Sequence, residues 1–121
     1  MGFLLSIFMP PFKILFVCAK NQWRSPTAAN IYRNDPRLDV RSAGLSSKSP
    51  TVISAKLLEW AELVVVMENK HAARIRDLFR SHTDLPEIVS LEIPDDYEFM
   101  DPELIKLLKM SMHELLDEFL A

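Results

Sequence analysis

Cys18 and Arg24 are the residues whose types and spacing could do chemistry. Five residues separate them, and the loop that they bracket lies between an apolar run at 14–17 and the pair Ser25-Pro26. A cysteine thiolate is a strong nucleophile. A guanidinium can hold two oxygens of a phosphate group in one bidentate contact, which a lysine cannot do. This pairing predicts a site that grips a phosphate group and attacks it at phosphorus.

The loop itself has the expected local structure of an anion-binding nest. The run at 14–17 is typical of a strand, and the pair at 25–26 predicts a helix start, with Ser25 as N-cap and Pro26 at the first helical position. Such a loop directs several backbone N–H groups into one concavity, and the helix N-terminus adds partial positive charge. That field favours a thiolate over a thiol, and the Ser25 hydroxyl could donate a hydrogen bond to the sulfur. The predicted phosphate-binding residues are Ala19, Lys20, Asn21, Gln22, Trp23, Arg24 and Ser25.

This stretch resembles the low-molecular-weight protein tyrosine phosphatases. The resemblance is carried by the Cys-x5-Arg-Ser pattern after an apolar strand, by Asn21 at the third loop position and by Ser-Ala-Gly at 42–44, and it runs from about residue 13 to near the C-terminus. It implies a cysteine-dependent phosphomonoester hydrolase that needs no cofactor. Cys18 would form a phosphocysteine intermediate, and Arg24 and the loop amides would hold the phosphoryl group. The alternative without catalytic function is a buried core cysteine before an ordinary βα turn.

The resemblance also implies an acid that protonates the leaving oxygen. The acidic stretch at 92–101 offers Asp95, Asp96 and Asp101. The family's acid lies in an Asp-Pro-Tyr-like motif, and Asp95 fits it best because Tyr97 takes the Tyr position. Asp96 is the first alternative. Asp101 precedes a proline, but a helix N-cap explains it fully, so it is the second alternative.

Three departures from the family bear on the substrate. Trp23 stands where the family usually has a second cysteine, so reversible disulfide protection of Cys18 is lost and irreversible oxidation is the expected hazard. Lys20 replaces a customary glycine and either meets a second anionic group or extends into solvent. The partner that supports Asn21 is left open. Phosphotyrosine on a protein is therefore the family default, a small phosphorylated metabolite or nucleotide is the alternative, and a non-catalytic phosphate-binding or regulatory module is the alternative from another class.

The surrounding elements alternate between strand and helix patterns. Strands are predicted at 12–17, 38–43, 63–67 and 88–91, and helices at 25–34, from Ser49-Pro50 to about 61, at 68–80 and at 102–119. This alternation predicts an α/β fold with an open four-stranded parallel sheet, order 2-1-3-4, and helices on both faces. Ligands in such sheets bind beyond the carboxyl ends of the strands, where Cys18 lies.

Composition sets the remaining expectations. The 121 residues suffice for one phosphatase-like domain at 12–121, preceded by an apolar extension at 1–11. The net charge of −3 argues against a nucleic-acid partner. A single cysteine excludes an internal disulfide and suits a reducing, cytoplasmic compartment. No spacing suggests a metal site or a membrane span, and the oligomeric state is left open. His71, early in the third helix near the active edge, either supports the site or lies on the helix surface, and the surface is the preferred placement.

Overall fold

The apolar runs of the sequence form a four-stranded parallel sheet in the computed structural model, which describes residues 10–120. The strand order is β2-β1-β3-β4, as predicted. β1 is central and pairs with β2 on one side and with β3 on the other, so its carboxyl end is the point where the chain switches direction across the sheet. The strands are β1 (Phe12–Cys18), β2 (Leu38–Gly44), β3 (Leu63–Val66) and β4 (Glu87–Ser90).

Four helices cover the two faces of this sheet. Successive β1 side chains point to opposite faces and both faces are covered, which is why the strand is apolar from Ile14 to Cys18. Ile14 and Phe16 pack into a core cluster with α1 and α4, whereas Leu15 and Val17 pack into a second cluster with α2 and α3. The helices are α1 (Arg24–Tyr32), α2 (Ala55–Trp60), α3 (Asn69–Leu78) and α4 (Pro102–Leu120).

The predicted helix start at Ser49 is wrong. α2 begins at Ala55, and Ser54 is its N-cap, because the Ser54 hydroxyl accepts a 3.2 Å hydrogen bond from the Leu57 amide. The preceding residues turn back onto the end of β2 instead. Gly44 donates its N–H to a carbonyl at position 51 and accepts the N–H of position 53, both at 2.9 Å. These backbone bonds to β2 are incompatible with a helix that starts at Ser49.

The start of α4 agrees with the expected N-cap. The Glu103 amide donates a 2.8 Å hydrogen bond to Oδ1 of Asp101, and Pro102 is the first helical residue. Most of the extension at 1–11 lies outside the described residues, so the division of the chain at residue 12 stays a prediction. Within residues 10–120, no helix is long and apolar enough to cross a membrane.

Candidate active site

A small pocket opens at the carboxyl end of β1, where the chain leaves the sheet. Its volume is about 60 Å³, which suits a phosphoryl group but not a whole substrate. Cys18 ends the strand and is 3% exposed. The pocket is lined by Cys18, Ala19, Lys20, Gln22, Trp23, Arg24 and Asp95.

The neighbouring chain orients the peptide groups of the loop. The amides of Leu45 and Ser46, which follow β2, donate hydrogen bonds to the carbonyls of Cys18 and Ala19 at 3.1 and 2.8 Å. The N–H and C=O of a trans peptide point in opposite directions, so the amides of the same peptide groups point away from β2. Within the described part of the chain, no amide from 19 to 24 donates to another protein group. The loop therefore presents a set of free donors.

Asn21 takes a backbone conformation that turns the loop tightly. Its φ is 53°, in the left-handed region that Asn adopts more readily than most residues. Its side chain is 5% exposed, and Nδ2 donates a 2.9 Å hydrogen bond to the Ser25 hydroxyl. Ser25 is therefore the support of Asn21 that the sequence left open.

Ser25 does not cap α1, so that prediction is wrong. α1 begins one residue earlier, and its N-cap is Trp23, whose side chain accepts no capping hydrogen bond. The Ser25 hydroxyl instead lies 2.9 Å from Sγ of Cys18 and 3.4 Å from the carbonyl of Ala43. Since it already accepts from Asn21, its own proton is available to the sulfur, which is the shorter contact. The hydroxyl is used to hold the sulfur and not the helix end.

Gly44 lets the loop approach the end of β2. A Cβ at this position would lie 2.8 Å from the backbone N of Asn21 and 2.1 Å from the hydroxyl of Ser49. Rotating the Ser49 hydroxyl would still leave the Ser49 Cβ 2.8 Å away, and the Asn21 backbone is fixed by its turn. The Gly in the Ser-Ala-Gly run is therefore required by the close approach of two backbone segments.

Arg24 is buried below the pocket, and one edge of its guanidinium is fixed. The side chain is 2% exposed, and Nη1 donates to Glu68 at 2.6 Å and to the carbonyl of Ile93 at 2.8 Å. Nε is buried without a hydrogen-bond partner among the described residues, and Oδ1 of Asp95 lies 3.5 Å from it. A buried N–H group of this kind is costly unless a partner arrives. The geometry leaves this edge of the guanidinium free for an anion.

Glu68 is a site residue that the sequence reasoning missed. It lies two residues beyond the end of β3, and the Arg24 hydrogen bond holds the pKa of its carboxyl below the usual range. The available signal was a carboxylate at the carboxyl end of the strand next to β1, on the same edge as the predicted arginine. Glu68 fixes Arg24 by charge and by hydrogen bond.

His71 is buried, so the preferred placement on a helix surface is wrong and the alternative near the site agrees with the structure. It is 2% exposed, and its Nδ1 accepts a 3.1 Å hydrogen bond from the Glu68 amide at the start of α3. Burial, and then the charge of Arg24, lower the pKa of His71 to about 4. The ring is therefore neutral near pH 7, and the proton is on Nε2.

The three acidic candidates lie in different places. Asp95 lines the pocket beside Cys18 and is 56% exposed. Asp96 is exposed and does not line the pocket. Asp101 is engaged as the cap of α4. Of the three, only Asp95 lines the pocket, and the identity of the acid stays a prediction.

The other predicted loop residues lie at the pocket mouth. The side chains of Lys20 and Gln22 are exposed, and Trp23 is 41% exposed. Lys20 has no carboxylate partner among residues 10–120, so its charge is available at the mouth. In the same part of the chain, no three His, Cys, Asp or Glu side chains are grouped to hold a metal ion.

The sheet, its helices and the loop after β1 define the fold of the low-molecular-weight protein tyrosine phosphatases. A protein of this name from Streptococcus pyogenes matches with a TM-score of 0.74 and 16% identity, over 88% of this chain and 92% of that one. The tyrosine phosphatase Wzb from Escherichia coli K30 matches with a TM-score of 0.69 and 20% identity, over 90% and 99% of the two chains. The arginine phosphatase YwlE from Geobacillus stearothermophilus matches with a TM-score of 0.64 and 25% identity, over 91% and 96%.

These similarities confirm the predicted fold and the resemblance at the level of fold. No family model matches the chain, and no curated protein matches its sequence. The structural neighbours are phosphatases, described as acting on tyrosine or on arginine, which agrees with the class of enzyme predicted from the sequence.

Proposed function

We propose that this chain is a phosphomonoester hydrolase that works through a phosphocysteine on Cys18. The observation that carries the proposal is the pocket itself. It combines a thiol, a row of free loop amides and the buried, unpartnered Nε of Arg24. The loop amides and Nε are hydrogen-bond donors without an acceptor in the described part of the chain, and the oxygens of a phosphoryl dianion can accept from both while its phosphorus faces the thiol.

The reaction then has two steps. Sγ of Cys18 attacks phosphorus, so an S–P bond forms while the P–O bond to the leaving group breaks. Asp95 delivers its proton to the departing oxygen, and the loop amides and Arg24 stabilise the charge on the equatorial oxygens. In the second step, Asp95 takes a proton from a water molecule that attacks phosphorus. The S–P bond breaks, inorganic phosphate leaves and the thiolate is restored.

The nucleophile is tested with Cys18→Ser on an aryl phosphate. A serine hydroxyl is a far weaker nucleophile than a thiolate at neutral pH, so we expect turnover to fall by roughly 1,000-fold or more. Ser46→Ala is the matched control, because Ser46 contacts the loop through its backbone amide. Turnover by Cys18→Ser equal to that of the parent protein would refute the proposal.

The acid is tested by comparing Asp95→Asn with Asp96→Asn. Asp95→Asn should lose rate most on esters with poor leaving groups, because a good leaving group departs without a proton. General acid catalysis contributes roughly 100- to 10,000-fold, and Asp96→Asn should change the rate by less than about 2-fold, as expected for an acid outside the pocket. The reverse result would assign the acid to Asp96.

Phosphotyrosine in a protein is the proposed substrate, as in the tyrosine phosphatases that share the fold. Phosphoarginine is the second candidate, because arginine phosphatases are among the structural neighbours and one of them is 25% identical. Turnover of phosphotyrosyl and phosphoarginyl peptides, compared with a panel of phosphorylated metabolites and nucleotides, distinguishes these classes. Tight phosphate binding with no turnover of any of these substrates would instead favour a non-catalytic module.

The proposed location is the cytoplasm, since a lone cysteine that must stay reduced suits a reducing compartment.

A further inference from the structure

Trp23 is a large aromatic residue at a position where the loop needs no side chain. Its carbonyl accepts the Thr27 amide at 3.0 Å and the Thr27 hydroxyl at 2.6 Å, so its backbone begins α1. The indole is 41% exposed, whereas core aromatics such as Phe16 are fully buried. The side chain therefore contributes little to the core.

Residue preferences at helix ends do not explain Trp23 either. Trp23 is the N-cap of α1, a position that favours Ser, Thr, Asp or Asn. A capping side chain would accept from the Ser25 amide, because the next residue is Pro26, which has no N–H. An alanine would leave that amide free as well, so the absence of a cap does not explain an indole. Departures from local preferences are expected at functional positions.

The pocket shows what the indole can touch. The volume of about 60 Å³ holds a phosphoryl group, so the rest of the substrate must lie across the mouth. Trp23 and Asp95 both line this pocket, and Asp95 is the group proposed to protonate the leaving oxygen. The group bonded to that oxygen therefore leaves through a pocket mouth that Trp23 also lines.

We propose that Trp23 determines substrate specificity by stacking its indole against a flat aromatic leaving group. This inference rests on the proposed function and selects aryl phosphates over alkyl phosphates within it. Paired aromatic rings attract each other beyond the gain from burial alone, and the ring of a phosphotyrosine suits such a contact.

The test measures binding without turnover. Calorimetry compares benzylphosphonate, which carries an aromatic ring, with inorganic phosphate, which does not. Trp23→Leu should weaken benzylphosphonate by about 2- to 12-fold and leave phosphate nearly unchanged, whereas Trp23→Phe should stay close to the parent. Phe99→Leu is the matched control, because Phe99 is an exposed aromatic residue that does not line the pocket.

Fluorescence and kinetics supply independent measurements. In a Trp60→Phe background, Trp23 is the only tryptophan, and its emission should respond to benzylphosphonate more than to phosphate. In Trp23→Leu, KM for an aryl phosphate should rise while kcat stays within about 2-fold, as expected when a contact made equally in both states is lost.

Equal weakening of both ligands would overturn the inference, because it would mean that the indole supports the loop. Unchanged binding of benzylphosphonate would overturn it as well. Selective loss of benzylphosphonate in a protein that hydrolyses no ester would support the aromatic contact and refute the proposed hydrolase.

Discussion

Replacing Glu68 tests how the arginine of the pocket is held. Nη1 of Arg24 donates to Glu68 at 2.6 Å, and Arg24 is 2% exposed. Glu68→Gln keeps the shape and one acceptor oxygen but removes the charge, whereas Glu68→Ala removes both. The pair of variants therefore separates the charge from the hydrogen bond.

The magnitude follows from burial. Removing one partner of a fully buried ion pair costs roughly 3–5 kcal/mol. Glu68 is 27% exposed, so water screens part of the loss and we expect about 2 kcal/mol for the glutamine variant. For a chain of this length, that corresponds to a fall in Tm of roughly 8 °C.

Activity should fall as well, for a geometric reason. The carbonyl of Ile93 still accepts from Nη1 of Arg24 at 2.8 Å, so the guanidinium stays near the pocket but loses one of its two anchors. A displacement of about 1 Å at a positioned group can cost roughly 100-fold in rate. We therefore expect kcat/KM on an aryl phosphate to fall by about 10- to 100-fold, more in Glu68→Ala than in Glu68→Gln.

Thermal unfolding and steady-state kinetics on the same preparations give both numbers. Glu59→Gln is the matched control, since it removes an exposed carboxylate on α2 and should change neither quantity. If both Glu68 variants keep the parent's Tm and kcat/KM, Arg24 does not depend on Glu68 and the account of its orientation is wrong.

Two further predictions concern the supports of the site. Gly44→Ala should destabilise the fold by about 1–3 kcal/mol and reduce turnover, because the alanine Cβ would lie 2.8 Å from the backbone N of Asn21. Adding Ser49→Ala should not restore stability or turnover, and a fully active double variant would contradict this explanation. The pKa of His71 falls from 6.5 in the unfolded chain to about 4, so its stabilising contribution is complete above pH 6.5 and is lost as the pH falls towards 4, by roughly 2 kcal/mol at pH 5. Denaturant unfolding at pH 7 and pH 5 should show this loss of stability in the parent protein and in the control variant His82→Asn, but not in His71→Asn. Equal losses of stability in all three proteins would exclude His71 as the cause.

The sequence predicted the fold well because the sheet depends on strong local patterns. The apolar runs of β1 and β3 could only be strands buried on both faces, and the alternation with helices then leaves few topologies. The prediction of a helix start at Ser49 was wrong because a Ser-Pro pair is only a local signal. The backbone groups of positions 51 and 53 instead pair with Gly44 at the end of β2, a tertiary contact that overrides the local preference.

The pocket was predictable where one segment builds it. Cys18, the loop and Arg24 lie within seven residues of sequence, so their juxtaposition follows from a strand that runs into a helix. Glu68 and His71 come from a different strand end, and their importance depends on which groups they meet. The local sequence around a carboxylate that follows a strand does not show whether that carboxylate will bind a buried guanidinium.

The role of Ser25 was also predicted from a local signal, and its assignment as the N-cap is wrong. A serine before a proline at a helix start is what a cap requires, and local preference alone makes it the N-cap. The structure uses its hydroxyl between Asn21 and Cys18, and begins α1 at an uncapped Trp23. A cap would close the helix end to an anion, so the uncapped end of α1 and the unpartnered Nε of Arg24 have one common explanation. Both are unfavourable in the free protein, and an oxyanion in the loop would lie at the helix end and accept a hydrogen bond from Nε.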